Sequence, residues 1–189
     1  MLALQLDRVL APFRRPTVAR ADVPGHAPAA TRCDEAREKR LRSEPIVWLS
    51  TVDEHGFPHI VPIWFVWDGE ALLIFSKPHA RKVQAIRRQA RVALALGEPR
   101  DDFDVQLIEG HATVLATTTA QVLSAGGLIG REHARKYAAE LFALGIDPDE
   151  YATTYSAVVR VVPTRFLPWH GRGPRWNASS PMRQATIAG

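Results

Sequence analysis

The residues from His59 to Trp67, HIVPIWFVW, constrain the fold more than any other segment. At the two-residue period of a strand, Ile60, Pro62, Trp64 and Val66 share one face, and Val61, Ile63, Phe65 and Trp67 share the other. Both faces are apolar. A strand with one side in water alternates apolar and polar residues, so this one needs cover on both sides. A closed or nearly closed sheet covers one face, and a second subunit or a bound ligand covers the other. The run is too short to cross a bilayer and contains a proline.

The flanking residues extend this strand into a meander. Ile46 to Val52 is a β-branched and aromatic run, followed by the turn residues Asp53-Glu54-His55-Gly56. Asp68-Gly69 is a hairpin signal, and Ala71 to Phe75 is the third strand. A helix is expected next, with Ser76 near its N-cap, Pro78 near its first position, and Val83 and Ile86 on one face. Strands follow at Val92 to Leu96 and Val105 to Val114. Helices are expected at Thr118 to Leu123 and at Glu132 to Leu144, the second closed by Gly145. Ala157 to Leu167 is the last strand, running into Pro168 and Trp169. The pattern is a mainly β domain with peripheral helices and six or seven antiparallel strands.

One such domain fits a chain of 189 residues. Residues 1–30 are punctuated by prolines and read as an arm or linker, with a short amphipathic helix offered by Leu2, Leu6, Val9 and Leu10. Thr31 and Asp34 have capping-box spacing for a helix to about Ser43. Residues 31–170 form the folded domain. Residues 171–189 are rich in Gly, Pro and Ser and are expected to be a flexible tail.

Cys33 has no second cysteine to pair with, and the N-terminus lacks a continuous apolar core for export, so a cytoplasmic protein is expected. The net charge of +4 permits a polyanionic partner. The interleaved cations and exposed aromatics of a single-stranded nucleic-acid groove are missing, and nucleic acid is not the expected partner. Gly126-Gly127-x-x-Gly130 follows no strand of a βαβ unit and reads as a loop between helices. The histidines His55, His59, His79 and His111 do not form a metal-ligand pattern. Asp101, Asp102 and Asp104 read as a solvated loop, and Trp48, Trp64 and Trp67 as core and dimer packing.

Ser76-Lys77-Pro78-His79-Ala80-Arg81-Lys82 is the segment that points to chemistry. It puts a hydroxyl and the cations Lys77, Arg81 and Lys82 where a strand gives way to a helix, a place where free amides already favour an anion. Charge-assisted bonds from Arg81 and Lys82 suit a phosphate. A solvated basic helix start has the same composition, and both readings stand at this level.

The stretch LSTVDEHGFPHIVPIWFVWDGEALLIFSKPHARKVQAIRRQARVALAL resembles the pyridoxamine phosphate oxidase-like flavin and deazaflavin reductases. The shared order runs from a TVDEHG-like strand end at Leu49 to Gly56, through a long strand at Ile60 to Phe65, to Ser76. It continues with an Arg-Lys pair at Arg81-Lys82 and the segment Arg87 to Leu94. The later Leu107-Ile108-Glu109-Gly110-His111-Ala112 is similar to the family's L-x-G-x-A strand. The resemblance implies a split β-barrel and a homodimer with a cofactor at the subunit interface. It assigns the cofactor phosphate to Ser76, Arg81 and Lys82, with Lys77 beside them, and the ring to the backbone of Val61, Pro62 and Ile63. It brings Trp169 near the partner's cofactor. Pyridoxamine phosphate oxidases carry Arg and Lys on the long strand where this chain has Ile60 and Phe65. That departure points away from vitamin B6 oxidation and toward the branch that uses the deazaflavin F420, with FMN as the alternative. The implied activity is hydride transfer to a small electrophilic molecule, with a non-catalytic flavin or haem carrier as the competing role.

Overall fold

A computed structural model of the protein describes residues 30–97 and 105–169. The elements run α1 (Ala30–Ser43), β1 (Ile46–Val52), β2 (Pro58–Trp64), β3 (Val66–Trp67), β4 (Leu72–Ser76), α2 (Arg81–Arg88), β5 (Arg91–Leu96), β6 (Val105–Thr118), α3 (Thr119–Ser124), α4 (Leu128–Ala143), α5 (Pro148–Thr154) and β7 (Ala157–Trp169). The arm and the tail expected at the two ends, and the Asp101 to Asp104 loop, lie outside the described residues.

All strand pairs are antiparallel, in the order β2-β1-β5-β6-β7-β4-β3. The two outermost strands, β2 and β3, are separated in sequence by Phe65 alone. The edges of the sheet must therefore meet at that residue. The sheet curls into a barrel whose wall is split, because β2 pairs only with β1 and β3 only with β4.

The long apolar run is thus one strand broken at Phe65. Tyr137 on α4 compensates for the break. The Phe65 amide donates to the Tyr137 hydroxyl oxygen at 2.9 Å, and that hydroxyl faces the carbonyls of Pro45 and Phe65, each at 2.7 Å. Lys136 Nζ donates to the carbonyls of Leu41, Glu44 and Phe65 and lies 3.8 Å from the centre of the Phe65 ring. A side chain pair on a distant helix takes the place of the interrupted ladder.

Two cores result. Inside the barrel, Leu49, Phe65, Ile74, Leu96, Ile108 and Val161 pack together, with Leu41 of α1 plugging one end and Val83 and Ile86 of α2 the other. Outside it, Leu73, Phe75 and Val158 of β4 and β7 are covered by Val122, Tyr137, Leu141 and Tyr151 from α3, α4 and α5. The helices cover only that half of the outer surface. On the β1–β2 half, Ile46, Trp48 and Ile60 remain 43%, 42% and 61% exposed.

The helices differ from the sequence expectation in three places. α2 begins at Arg81 with Ala80 as N-cap, because Ser76 stays in the sheet opposite Ala157 and Lys77 to Ala80 form a separate turn. α4 begins at Leu128, after a turn through Gly126 and Gly127, and ends where expected, at Gly145 with φ +66°. A fifth helix, α5, is not among those expected. Its signal was present: Asp147 caps the amides of Asp149 and Glu150, and Pro148 sits in the first turn. Among the described residues no helix is long and apolar enough to cross a membrane.

The outer core buries a histidine. His133 is packed against Phe75, Tyr137 and Tyr151, and its Nε2 has no hydrogen-bond partner among the described residues. Burial lowers its pKa from 6.5 to about 4, so the ring is neutral in the folded protein at neutral pH. Between those two values the unfolded chain takes up a proton that the folded one refuses. Stability is therefore full above pH 6.5 and declines as the pH falls toward 4. The decline expected from this group is on the order of 3 kcal/mol. Denaturant melts at pH 7 and pH 4.5 check it, and His133→Phe is expected to remove most of the difference.

Candidate functional site

After β2 the chain continues in the same direction through β3, then reverses at the Asp68-Gly69 turn into β4. Ser76 therefore returns to the end of the barrel where β2 begins. The basic corner follows at that end, where β4 gives way to α2.

The corner is built by the turn from Lys77 to Ala80. The Ala80 amide donates to the Lys77 carbonyl at 3.0 Å, and Gln84 Nε2 donates to the Pro78 carbonyl at 3.3 Å. α2 then starts without a side-chain cap. Its N-cap carbonyl accepts from Val83 and Gln84. The amides of Arg81 and Lys82, the first two of the helix, have no acceptor among the described residues. Two free amides at the positive end of a helix dipole, each carried by a cationic residue, form an anion cradle.

Lys82 is the informative member. It is half-buried, and that burial lowers its pKa. Its ammonium makes no hydrogen bond or ion pair with any described residue. A partly desolvated cation costs free energy unless an anion meets it. Arg81 beside it is exposed. Lys77 is exposed and turns back, its Nζ 5.7 Å from the centre of the Tyr155 ring. Ser76 is buried at the end of β4, its hydroxyl 3.4 Å from the Lys77 carbonyl. The structure thus brings Arg81 and Lys82 together at the helix start and sets Lys77 and Ser76 on either side of the strand end.

The three β2 positions divide. Val61 and Ile63 pack their side chains against the barrel core, and Pro62 is exposed opposite Trp48. β2 is an edge strand, which is where a proline is tolerated. Its free side leaves backbone groups available to a ligand in the split. Trp169 ends β7 opposite Val105; the placement of its side chain lies outside the described residues.

Two features carry little signal in sequence. Trp48 and Ile60 are outward-facing neighbours of Pro62, and alternation alone leaves the covered and uncovered faces indistinguishable. Gly110 marks a bulge of β6 against β7, where an added Cβ would meet the Val162 carbonyl oxygen at 2.8 Å.

The pyridoxamine 5′-phosphate oxidase family model matches residues 33–170, which is more than half of the chain. Among solved structures, the Mycobacterium tuberculosis protein Rv2991 is 21% identical with a TM-score of 0.59, covering 83% of this chain and 99% of its own. An F420 reductase is 21% identical with a TM-score of 0.52, covering 69% and 94%. The haem storage protein HutZ from Vibrio cholerae is 12% identical with a TM-score of 0.53, covering 75% and 96%. No curated protein matches the chain. Barrel, split and basic corner arise from the region the family model covers, and the chain belongs to the pyridoxamine 5′-phosphate oxidase family, with the split-barrel fold of that family.

Proposed function

We propose that this protein is an F420-dependent oxidoreductase of the cytoplasm, acting as a homodimer on a small electrophilic organic substrate. The observation that carries the reading is the half-buried Lys82 ammonium and two helix amides at the same helix start, none of which has a partner among the described residues. A phosphate satisfies all of these groups at once. FMN offers the same phosphate and is the alternative occupant. The apolar β2 edge next to this cradle suits a flat ring. Ile60 and Phe65 put no cation along it.

When bound, the cofactor would supply the hydride. The chain's own part is to hold the phosphate through Arg81 and Lys82 and to fix the ring against the backbone of Val61, Pro62 and Ile63. Cover from water comes from the second subunit. The exposed β1–β2 face supports that partner: Ile46, Trp48, Ile60 and Pro62 form an apolar strip continuous with the cofactor edge. Strips of this kind are buried in homodimers.

Two experiments test the reading. Reduced F420 and reduced FMN, each loaded anaerobically, are offered a panel of enones and quinones. Reoxidation of one of them at a rate above the protein-free control is expected; a carrier would leave both reduced. Replacing Trp48 and Ile60 together by glutamate puts two charges into the proposed interface. Analytical ultracentrifugation is expected to give a dimer for the native chain and a monomer for the double variant.

A further inference from the structure

The turn between β1 and β2 holds a carboxylate–histidine pair that the cofactor reading leaves unused. Asp53 Oδ1 accepts the amides of His55 and Phe57, each at 2.9 Å. Its other oxygen lies 3.0 Å from His59 Nε2. The His59 bond, followed by the Phe57 amide bond, pulls the Asp53 pKa down to about 2. Asp53 is therefore an anion that can only accept, so His59 Nε2 carries the proton of that bond. In the neutral ring Nδ1 then bears the lone pair, and it has no partner among the described residues. A carboxylate that fixes one ring nitrogen leaves the other oriented for proton exchange.

The position of His59 ties this pair to the split. It is on β2, two residues before Val61 and on the same face, in the strand whose open edge lines the split. It is partly exposed. The other charged groups around the turn are Glu54 and His55 within it and Arg88 from α2. Arg88, the last residue of α2, pairs with Glu54 at 2.9 Å.

We propose that His59, positioned by Asp53, is the proton-exchanging residue of the split. This rests on the cofactor reading given above. In a reduction, hydride from the reduced deazaflavin or flavin forms a new C–H bond on the substrate. The displaced electron pair collects on the neighbouring atom. The protonated imidazole gives its Nδ1 proton to that atom: the N–H bond breaks and the new bond to hydrogen forms. The cofactor is oxidised by two electrons, the substrate is reduced by two, and the ring regains its proton from water.

The test uses the full chain, titrated with FMN and with F420, and follows the His59 imidazole by nitrogen NMR. In the native protein the Nδ1 resonance is expected to shift on addition of the cofactor that binds, while the Nε2–H to Asp53 persists. Asp53→Asn and His59→Gln are expected to keep cofactor affinity within about threefold of native. His59→Gln is also expected to slow reoxidation by 2-cyclohexenone by about 100-fold, and Asp53→Asn to slow it less. If a cofactor binds but Nδ1 does not respond and His59→Gln reoxidises at the native rate, His59 is only a staple of the turn and the proposal is overturned alone. If neither cofactor binds the native chain, the reading beneath it falls as well.

Discussion

Replacing Arg81 and Lys82 together by alanine is expected to weaken binding of F420 or FMN by about 100-fold to 1,000-fold. A hydrogen bond to a charged group contributes about 1.5–3 kcal/mol, and about 1.4 kcal/mol is tenfold in affinity. Two such groups contribute at least the lower figure even after solvent screening of the exposed Arg81. The same double variant is expected to fold as stably as the native chain. Neither side chain pairs with any described residue, and Lys82 is a partly desolvated cation whose removal relieves a cost. Fluorescence titration for binding and a denaturant melt for stability separate the two effects. A solvated helix start with no ligand would give unchanged stability and no binding to lose, so the two readings of this corner differ in the titration alone.

The largest effect on stability is expected from a single oxygen. Tyr137→Phe keeps the ring that stacks on Trp64 at 4.5 Å and 8° and removes only the hydroxyl. The Phe65 amide then loses its acceptor, and the Pro45 and Phe65 carbonyls lose a donor they share. An unsatisfied buried polar group costs about 1–3 kcal/mol. Lys136 still serves the Phe65 carbonyl, so the amide is the main loss. A total of about 3 kcal/mol is expected, lowering the melting temperature by about 10 °C. Thermal unfolding followed by circular dichroism measures it. A change within about 0.5 kcal/mol, the range of an inert surface substitution, would contradict the role given to Tyr137 in holding the break.

Much of the barrel was legible in the residues because alternation and turn chemistry are local. The meander from Ile46 to Phe75, the Asp68-Gly69 reversal, and the Gly145 helix end follow from patterns a few residues long. The interruption at Phe65 was not legible. Its compensation comes from Tyr137 and Lys136, more than seventy positions away, and nothing near Phe65 announces it. The start of α2 was misplaced for a related reason. Ser76 and Pro78 look like a cap and a first helical residue, but pairing of Ser76 with Ala157 holds it in the sheet. In the candidate site, Arg81 and Lys82 were legible as cations at a helix start. That Lys82 is half-buried with no partner among the described residues, that Lys77 leans on Tyr155, and that His59 is held by Asp53 all depend on which faces the folded chain covers.

The central claim is that the corner at Arg81 and Lys82 exists to hold a phosphate-bearing ring cofactor against β2. A side-by-side equilibrium titration of the native protein with F420, FMN and haem tests it most directly. The account predicts saturable micromolar or tighter binding of F420, with FMN weaker and haem indifferent to the Arg81→Ala, Lys82→Ala substitution. Failure of both phosphate-bearing cofactors to bind, or binding of either that survives the double substitution unchanged, would contradict it.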